Sequence, residues 1–182
     1  MTTLFDPMLF GDIEAANRIV MAPLTRNRAD AILTPTPLMA TYYAQRASAG
    51  LIVAEATQIS PEGQGCFGTP GIYSPDQKSG WGRVIDAVHE KGGTIVLQLW
   101  HVGRISRVSL QPNGQPPVSS TARRADAKTF TAKGFEDAST PRALRLDELP
   151  RIVTTYAHAA RHAIAAGFDG VEVHGANGYL LE

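Results

Sequence analysis

Gly92-Gly93-Thr94-Ile95-Val96-Leu97-Gln98-Leu99-Trp100 is the stretch on which the fold turns. The paired glycines stop whatever precedes them, as glycine does just past a helix C-terminus. The run after them is almost wholly apolar, which marks a strand covered on both faces, as in a parallel sheet. Upstream, Asp76 to Lys91 carries Trp81, Val84, Ile85 and Val88 at three- and four-residue spacings. That periodicity predicts a helix with one buried face.

Working outward, Arg18–Pro23, Leu51–Ile59 and the run from Gly170 read as further buried strands. A helix is predicted over Pro37–Ala49, opened by proline and closed before Gly50. Another is predicted from Asp147 to Ala166, closed by Gly167, with Leu149, Ile152, Val153, Tyr156, Ala160, Ala163 and Ile164 as a stripe packing on a sheet. Strand and helix alternate throughout, the pattern of a parallel α/β fold. An eight-stranded (β/α)8 barrel (TIM barrel) typically takes ~250 residues. Four units then make half a barrel, and residues 1–182 are expected to be the N-terminal half of a single domain.

Two stretches fall outside this rhythm. Residues 3–17, with Phe5-Asp6-Pro7 and Phe10-Gly11-Asp12, suggest a hairpin closing the barrel bottom. Residues 101–145 form a long excursion rich in Pro, Gly, Ser and Arg. It leaves the C-terminal end of the third strand, where barrel sites sit, so it is expected to be a lid.

Composition narrows the function classes. The chain has 182 residues, 43% hydrophobic and 19% charged, with zero formal net charge. Nucleic-acid binding is not expected, because it needs a basic face. No apolar run approaches the ~20 residues that span a bilayer. The N-terminus lacks a signal-peptide pattern, so a cytoplasmic location is expected. Cys66 is alone, which rules out an intrachain disulfide.

Gly63-Gln64-Gly65-Cys66-Phe67-Gly68 fits G-x-G-x-x-G after a strand. The residues that follow, Thr69-Pro70-Gly71-Ile72-Tyr73-Ser74-Pro75, cannot open a helix there, so a pyrophosphate finds no helix dipole. The segment reads as a glycine-rich loop bordering a site. His158 and His162 have metal-pair spacing but lack the acid of H-E-x-x-H. No metal is predicted. The final segment is richer in chemistry: His174 ends the last strand, Asn177 follows three residues later, and Tyr179 comes next but one. Catalytic groups of barrel enzymes sit at such strand ends.

These residues belong to a series of motifs in order along the chain. They are Asn17-Arg18-Ile19-Val20-Met21-Ala22-Pro23-Leu24-Thr25-Arg26, Glu55-Ala56-Thr57, Gly68-Thr69-Pro70-Gly71-Ile72, Gln98-Leu99-Trp100-His101-Val102-Gly103-Arg104 and His174-Gly175-Ala176-Asn177-Gly178-Tyr179-Leu180-Leu181. Together they resemble the old yellow enzyme family of FMN-dependent ene-reductases, over essentially the whole chain.

The resemblance implies FMN across the C-terminal mouth of the barrel. Pro23, Leu24, Thr25 and Ala56 would border the flavin, Gln98 would bond its pyrimidine edge, and His174 would also touch it. NADPH would serve as reductant in the same space, which fits the missing dinucleotide motif. The substrate would be an α,β-unsaturated carbonyl or nitro compound. His174 and Asn177 would bind its oxygen, hydride would pass from the reduced flavin to the β-carbon, and Tyr179 would protonate the α-carbon. Thr25, Cys66, Phe67 and Trp100 would complete the pocket with these three. Many relatives carry tyrosine where this chain has Cys66, so a reshaped pocket is expected. Threonine at position 25 places the chain outside the branch that has cysteine there.

The family's barrel has eight strands. By the same resemblance, an arginine near the flavin and the phosphate-binding loops belong to the second half. An open half would expose two sheet edges and apolar surface. A second polypeptide carrying strands five to eight is therefore the expected partner, with two copies of this chain closing one barrel as the alternative. Two other functions stay open: a different FMN barrel such as a dienoyl-CoA reductase, and a non-catalytic barrel fragment.

Overall fold

The computed structural model describes all residues from Met1 to Glu182. An antiparallel hairpin of β1 (Met8–Phe10) and β2 (Ile13–Ala15) comes first. Then β3 (Val20–Met21) leads through α1 (Pro37–Ala44) to β4 (Leu51–Gln58), and α2 (Pro75–His89) leads to β5 (Ile95–Trp100). The excursion adds β6 (Val118–Ser119), a hairpin of β7 (Lys128–Thr131) and β8 (Gly134–Asp137), and β9 (Arg142–Ala143). Helix α3 (Leu149–Ala166) and strand β10 (Gly170–Val173) complete the chain. The sheet order is β3-β4-β5-β10, every pair parallel.

Each face of the sheet has its own partner. Ile52, Ala54, Ile95, Leu97 and Leu99 point to the helices and join Met39, Tyr43, Trp81, Val84, Ile85, Val88 and Ala163 in the main core. Leu51, Val53 and Val96 point the other way, and Phe10 and Ile13 of the hairpin pack on them. The hairpin thus closes the N-terminal end of the strands, as expected. Helix α2 is well specified locally. Ser74 Oγ accepts the Gln77 N–H at 3.2 Å, Gln77 Oε1 accepts the Ser74 N–H at 3.1 Å, and Pro75 takes the first turn. This reciprocal cap satisfies N–H groups that a helix start leaves free.

Three expectations need correction. Helix α1 stops at Ala44, not Ala49. The Asn17 side chain takes over the following backbone: its Oδ1 accepts the Gly50 N–H at 2.9 Å and its Nδ2 donates to Ser48 O at 2.9 Å. The first strand shrinks to Val20–Met21, since Pro23 offers no N–H and the chain turns away toward Gly68. The α3 stripe also divides. Ile152, Ala159 and Ala163 are buried, but Leu149, Val153 and Ile164 are 45%, 69% and 55% exposed. The helix packs on α2, β5 and β10, and the flank that carries Leu149, Val153 and Ile164 stays exposed. No helix is long and apolar enough to cross a membrane.

Candidate active site

At the C-terminal ends of the strands, three aromatic rings meet. Trp100 ends β5 and is 3% exposed. Parallel register sets Val173 beside Leu99, so His174 falls beside Trp100 on the same face. The His174 N–H continues the ladder by donating to Leu99 O at 3.0 Å. The two rings stack 6.5 Å apart at 17°. Tyr179 stands across both, 5.1 Å from Trp100 at 84° and 5.0 Å from His174 at 88°. Ala56 and Val102 line the same cluster, and Cys66 packs on it with Tyr179.

The turn that delivers Tyr179 has a backbone cause. Leu180 N–H donates to His101 O at 3.1 Å, laying the terminal segment over the end of β5. Gly103 makes room: its φ is +59°, and a Cβ there would meet Leu180 Cα at 2.9 Å. Burial, and then the neighbouring Cys66 thiol, push the Tyr179 phenol above its ordinary pKa. It therefore keeps its proton at neutral pH.

The structure separates the remaining expected residues. Asn177 is exposed at φ +65°, and its side chain makes no hydrogen bond within the chain. Gln98 lies one layer deeper, 7% exposed, its Nε2 donating to Glu172 Oε1 at 2.6 Å. Pro23 is half-buried, and Leu24 and Thr25 are exposed beyond β3. The N–H groups of Leu24 and Thr25 find no backbone partner. Phe67 turns to a different cavity of about 460 Å³, with Arg107, Val108, Leu110 and Lys133. His158 and His162 sit on α3 with rings 6.4 Å apart, and His162 Nδ1 lies 2.9 Å from Ile72 O.

The excursion folds onto the glycine-rich loop. Ser106 Oγ and Gln111 Nε2 both donate to Gln64 O, at 2.7 and 3.0 Å. Phe67 N–H donates to Phe130 O at 2.8 Å, and Thr129 Oγ1 donates to Gly65 O. An ion-pair group ties its return strand to α3. Arg142 grips Glu148 with both terminal nitrogens at 2.8 Å, while Arg151 lies 2.9 Å from Glu62. His101 and then Arg151 hold the Glu62 carboxyl down to about 2, against the effect of its burial.

Two further residues were not among the expected site groups. Glu172 pairs with Gln98, and strand alternation placing Glu172 on the His174 face was the signal for it. Glu55 is fully buried beside the site, and no local pattern points to its partners.

The arrangement suits a planar, hydrogen-bonding ring system such as a flavin. Gln98 offers both a donor and an acceptor, and Thr25 an amide and a hydroxyl, as a pyrimidine edge requires. Trp100 Nε1 is buried with no acceptor in the chain. Leaving such a donor unpaired costs about 1–3 kcal/mol, and a ligand oxygen would relieve it.

Comparison with known proteins agrees. Residues 3–182 match the family described as NADH:flavin oxidoreductase / NADH oxidase. The chain is 51% identical over 180 residues to 12-oxophytodienoate reductase 1 of Oryza sativa subsp. japonica, covering 98% of itself and 46% of that protein. It is 48% identical to a chanoclavine-I aldehyde reductase of Penicillium roqueforti, covering 100% of itself and 48% of that protein. Among solved structures, it superposes with TM-score 0.95 on morphinone reductase in complex with tetrahydroNAD, at 50% identity, covering 99% of itself and 51% of that chain. An old yellow enzyme homologue from Zymomonas mobilis gives TM-score 0.94 at 52% identity, covering 98% and 50% of the two chains. Morphinone reductase is a TIM barrel. The chain spans about half the length of the curated relatives it matches.

Proposed function

Because the chain belongs to the NADH:flavin oxidoreductase / NADH oxidase family, that of the old yellow enzymes, we propose that it forms the oxygen-binding, proton-donating half of an ene-reductase. FMN is the cofactor of this family, with NAD(P)H as reductant. The substrates are α,β-unsaturated carbonyl or nitro compounds. Bound and reduced, FMN supplies hydride for the β-carbon of the substrate.

The chain's own residues do the rest. His174 and Asn177 hold the substrate oxygen and draw charge toward it as hydride arrives. Tyr179 gives its proton to the α-carbon. Pro23, Leu24, Thr25, Ala56 and Gln98 border the cofactor, and Cys66 and Trp100 wall the pocket. Residues 101–145, fastened to the Cys66 loop, cover the mouth as a lid. The observation that carries this reading is the Trp100–His174–Tyr179 cluster, which sets a protonated phenol against an imidazole at the strand ends.

Assembly with strands five to eight, on a second polypeptide, belongs to the same proposal. Its support is the apolar surface at both flanks: Ile19 before β3 and Val20 on it, Val171 and Val173 on β10, and the open side of α3. The phosphate-binding loops would come with that half. To test it, the chain is purified alone and with a chain carrying the second half of a relative. Bound flavin and NADPH-dependent reduction of cyclohexenone are then measured. The pair should hold flavin and turn over, and the single chain should do neither. Full flavin occupancy in the single chain would overturn the two-piece reading; an assembled, flavin-free pair would overturn the catalytic one.

A further inference from the structure

Strand β4 carries an irregularity between Ala54 and Thr57, where Glu55 and Ala56 together face Gln98 on β5. A bulge of this kind re-aims side chains and is common beside active sites. Here it sends Ala56 into the Trp100 cluster and Glu55 to the opposite side, against α1. Glu55 is fully buried, and no cation lies within ion-pair distance of it. Its carboxyl oxygens are nonetheless both engaged. Tyr43 O–H donates to Oε1 at 3.1 Å, and the Arg26 N–H donates to Oε2 at 3.1 Å. Tyr43 Oη in turn accepts the Glu55 N–H at 2.8 Å, closing a ring.

The Arg26 N–H belongs to the peptide that joins Thr25 to Arg26. One carboxyl therefore fixes the peptide plane after Thr25 while sitting one peptide from Ala56. We propose that Glu55 is a positioning residue: its carboxylate holds the Thr25 and Ala56 walls of the cofactor site in one geometry, and proton uptake at Glu55 releases them. This rests on the flavin-binding reading above and deepens it.

Hydrogen-bond bookkeeping supports the charged form as the holding state. Two donors, Arg26 N–H and Tyr43 O–H, converge on the carboxyl group, and an ionised carboxylate is acceptor-only. A proton on Oε2 would face the Arg26 N–H. A proton on Oε1 would leave the Tyr43 O–H without an acceptor, because Tyr43 Oη would then receive two donors. The titratable and charged groups facing Glu55 are Tyr43 from α1 and Arg26 and Arg28 from the segment after β3. The two arginines are engaged elsewhere: Arg26 lies over the Tyr42 ring, 4.8 Å from its centroid, and Arg28 donates to Arg26 O at 3.0 Å. Burial outweighs their pull and lifts the Glu55 carboxyl to about 7. The switch between holding and released forms thus falls in the neutral range.

The test uses Glu55→Gln, which mimics the neutral acid, and two readouts. The first is amide exchange protection at Arg26 in the chain itself, corrected for intrinsic rate, from pH 5.5 to 8.5. The second is FMN affinity of the chain assembled with a C-terminal half over the same range. In the parent, both should rise at least about tenfold with pH through neutrality, the scale of a hydrogen bond to a charged acceptor. In Glu55→Gln both should stay at the low-pH level while the chain stays folded. A parent that binds FMN with flat profiles, or a variant that keeps the parent's rise, would overturn the positioning role alone. An assembled parent that binds no FMN at any pH would overturn the flavin reading and this inference with it. Unfolding of the variant is checked by circular dichroism, and Tyr43→Phe, which removes one donor to the carboxyl and the acceptor of the Glu55 N–H, should then move both rises to higher pH.

Discussion

The Tyr179 ring stands perpendicular to that of His174, their centroids 5.0 Å apart, and both rest on Trp100. The imidazole and the phenol, proposed above to bind the substrate oxygen and to donate the proton, thereby share one small space. Replacing Tyr179 with Phe keeps the ring contacts and removes only the acid. In the assembled enzyme, cyclohexenone reduction should fall by roughly 10²–10⁴, the usual worth of a positioned general acid. Flavin affinity and the rate of flavin reduction by NADPH should stay within about twofold of the parent. Stopped-flow measurement of the two half-reactions separates them, and equal slowing of both would remove Tyr179 from the protonation step.

Gly103 is the hinge of that geometry. Its φ of +59° lies in the left-handed region, and the space beside it is filled by Leu180. Alanine there costs about 1–2 kcal/mol in backbone strain, and its Cβ must lift the terminal turn. Gly103→Ala should therefore lower turnover at least about tenfold, since a small misplacement of a reacting group is expensive. Flavin binding, which depends on other segments, should change little. A variant with unaltered turnover would show that Tyr179 is held by something other than this close approach.

Much of the framework is visible in the sequence because buried strands and capped helices are written locally. Ile95–Trp100 needs only its own apolar run and the glycines before it. His174 and Trp100 are legible as groups at strand ends, and parallel register then brings them together. What escapes is set by distant partners. Helix α1 gives way to tighter turns after Ala44, and distant Asn17 holds Ser48 O and the Gly50 N–H beyond them, which no pattern within 37–49 reveals. Glu55 points to α1 because of a bulge, and simple alternation along β4 does not foresee one. The α3 stripe is apolar around more of the helix than this chain covers, so periodicity alone misassigns Val153.

Glu62 makes stability depend on acid. Its carboxyl falls to about 2 in the folded chain, below the ordinary 4.5, through His101 and Arg151. A lowered carboxyl stabilises the fold above the unfolded value and loses that contribution as pH falls toward the folded one. Glu62→Gln should thus cost about 1–3 kcal/mol at pH 7. Urea titrations should show the gap closing between pH 4.5 and about 2. A gap of constant size down to the acid limit would mean that packing, not charge, is what the glutamate contributes.

Val153 tests the seam. At 69% exposed, it sits with Leu149 and Ile164 on the flank of α3 that faces away from α2. A charge there meets only water in the single chain, so Val153→Asp should shift its stability by no more than about 0.5 kcal/mol. Against a second half-barrel the same charge is buried without a partner, a cost of several kcal/mol for a desolvated carboxylate. Affinity for the C-terminal half should drop at least about a hundredfold, with flavin occupancy falling in parallel at fixed concentration. Sedimentation of the mixed chains gives the first quantity and flavin absorbance the second. If assembly is untouched, the open flank of α3 lies outside the joint, and closure of the barrel runs through the β3 and β10 edges alone.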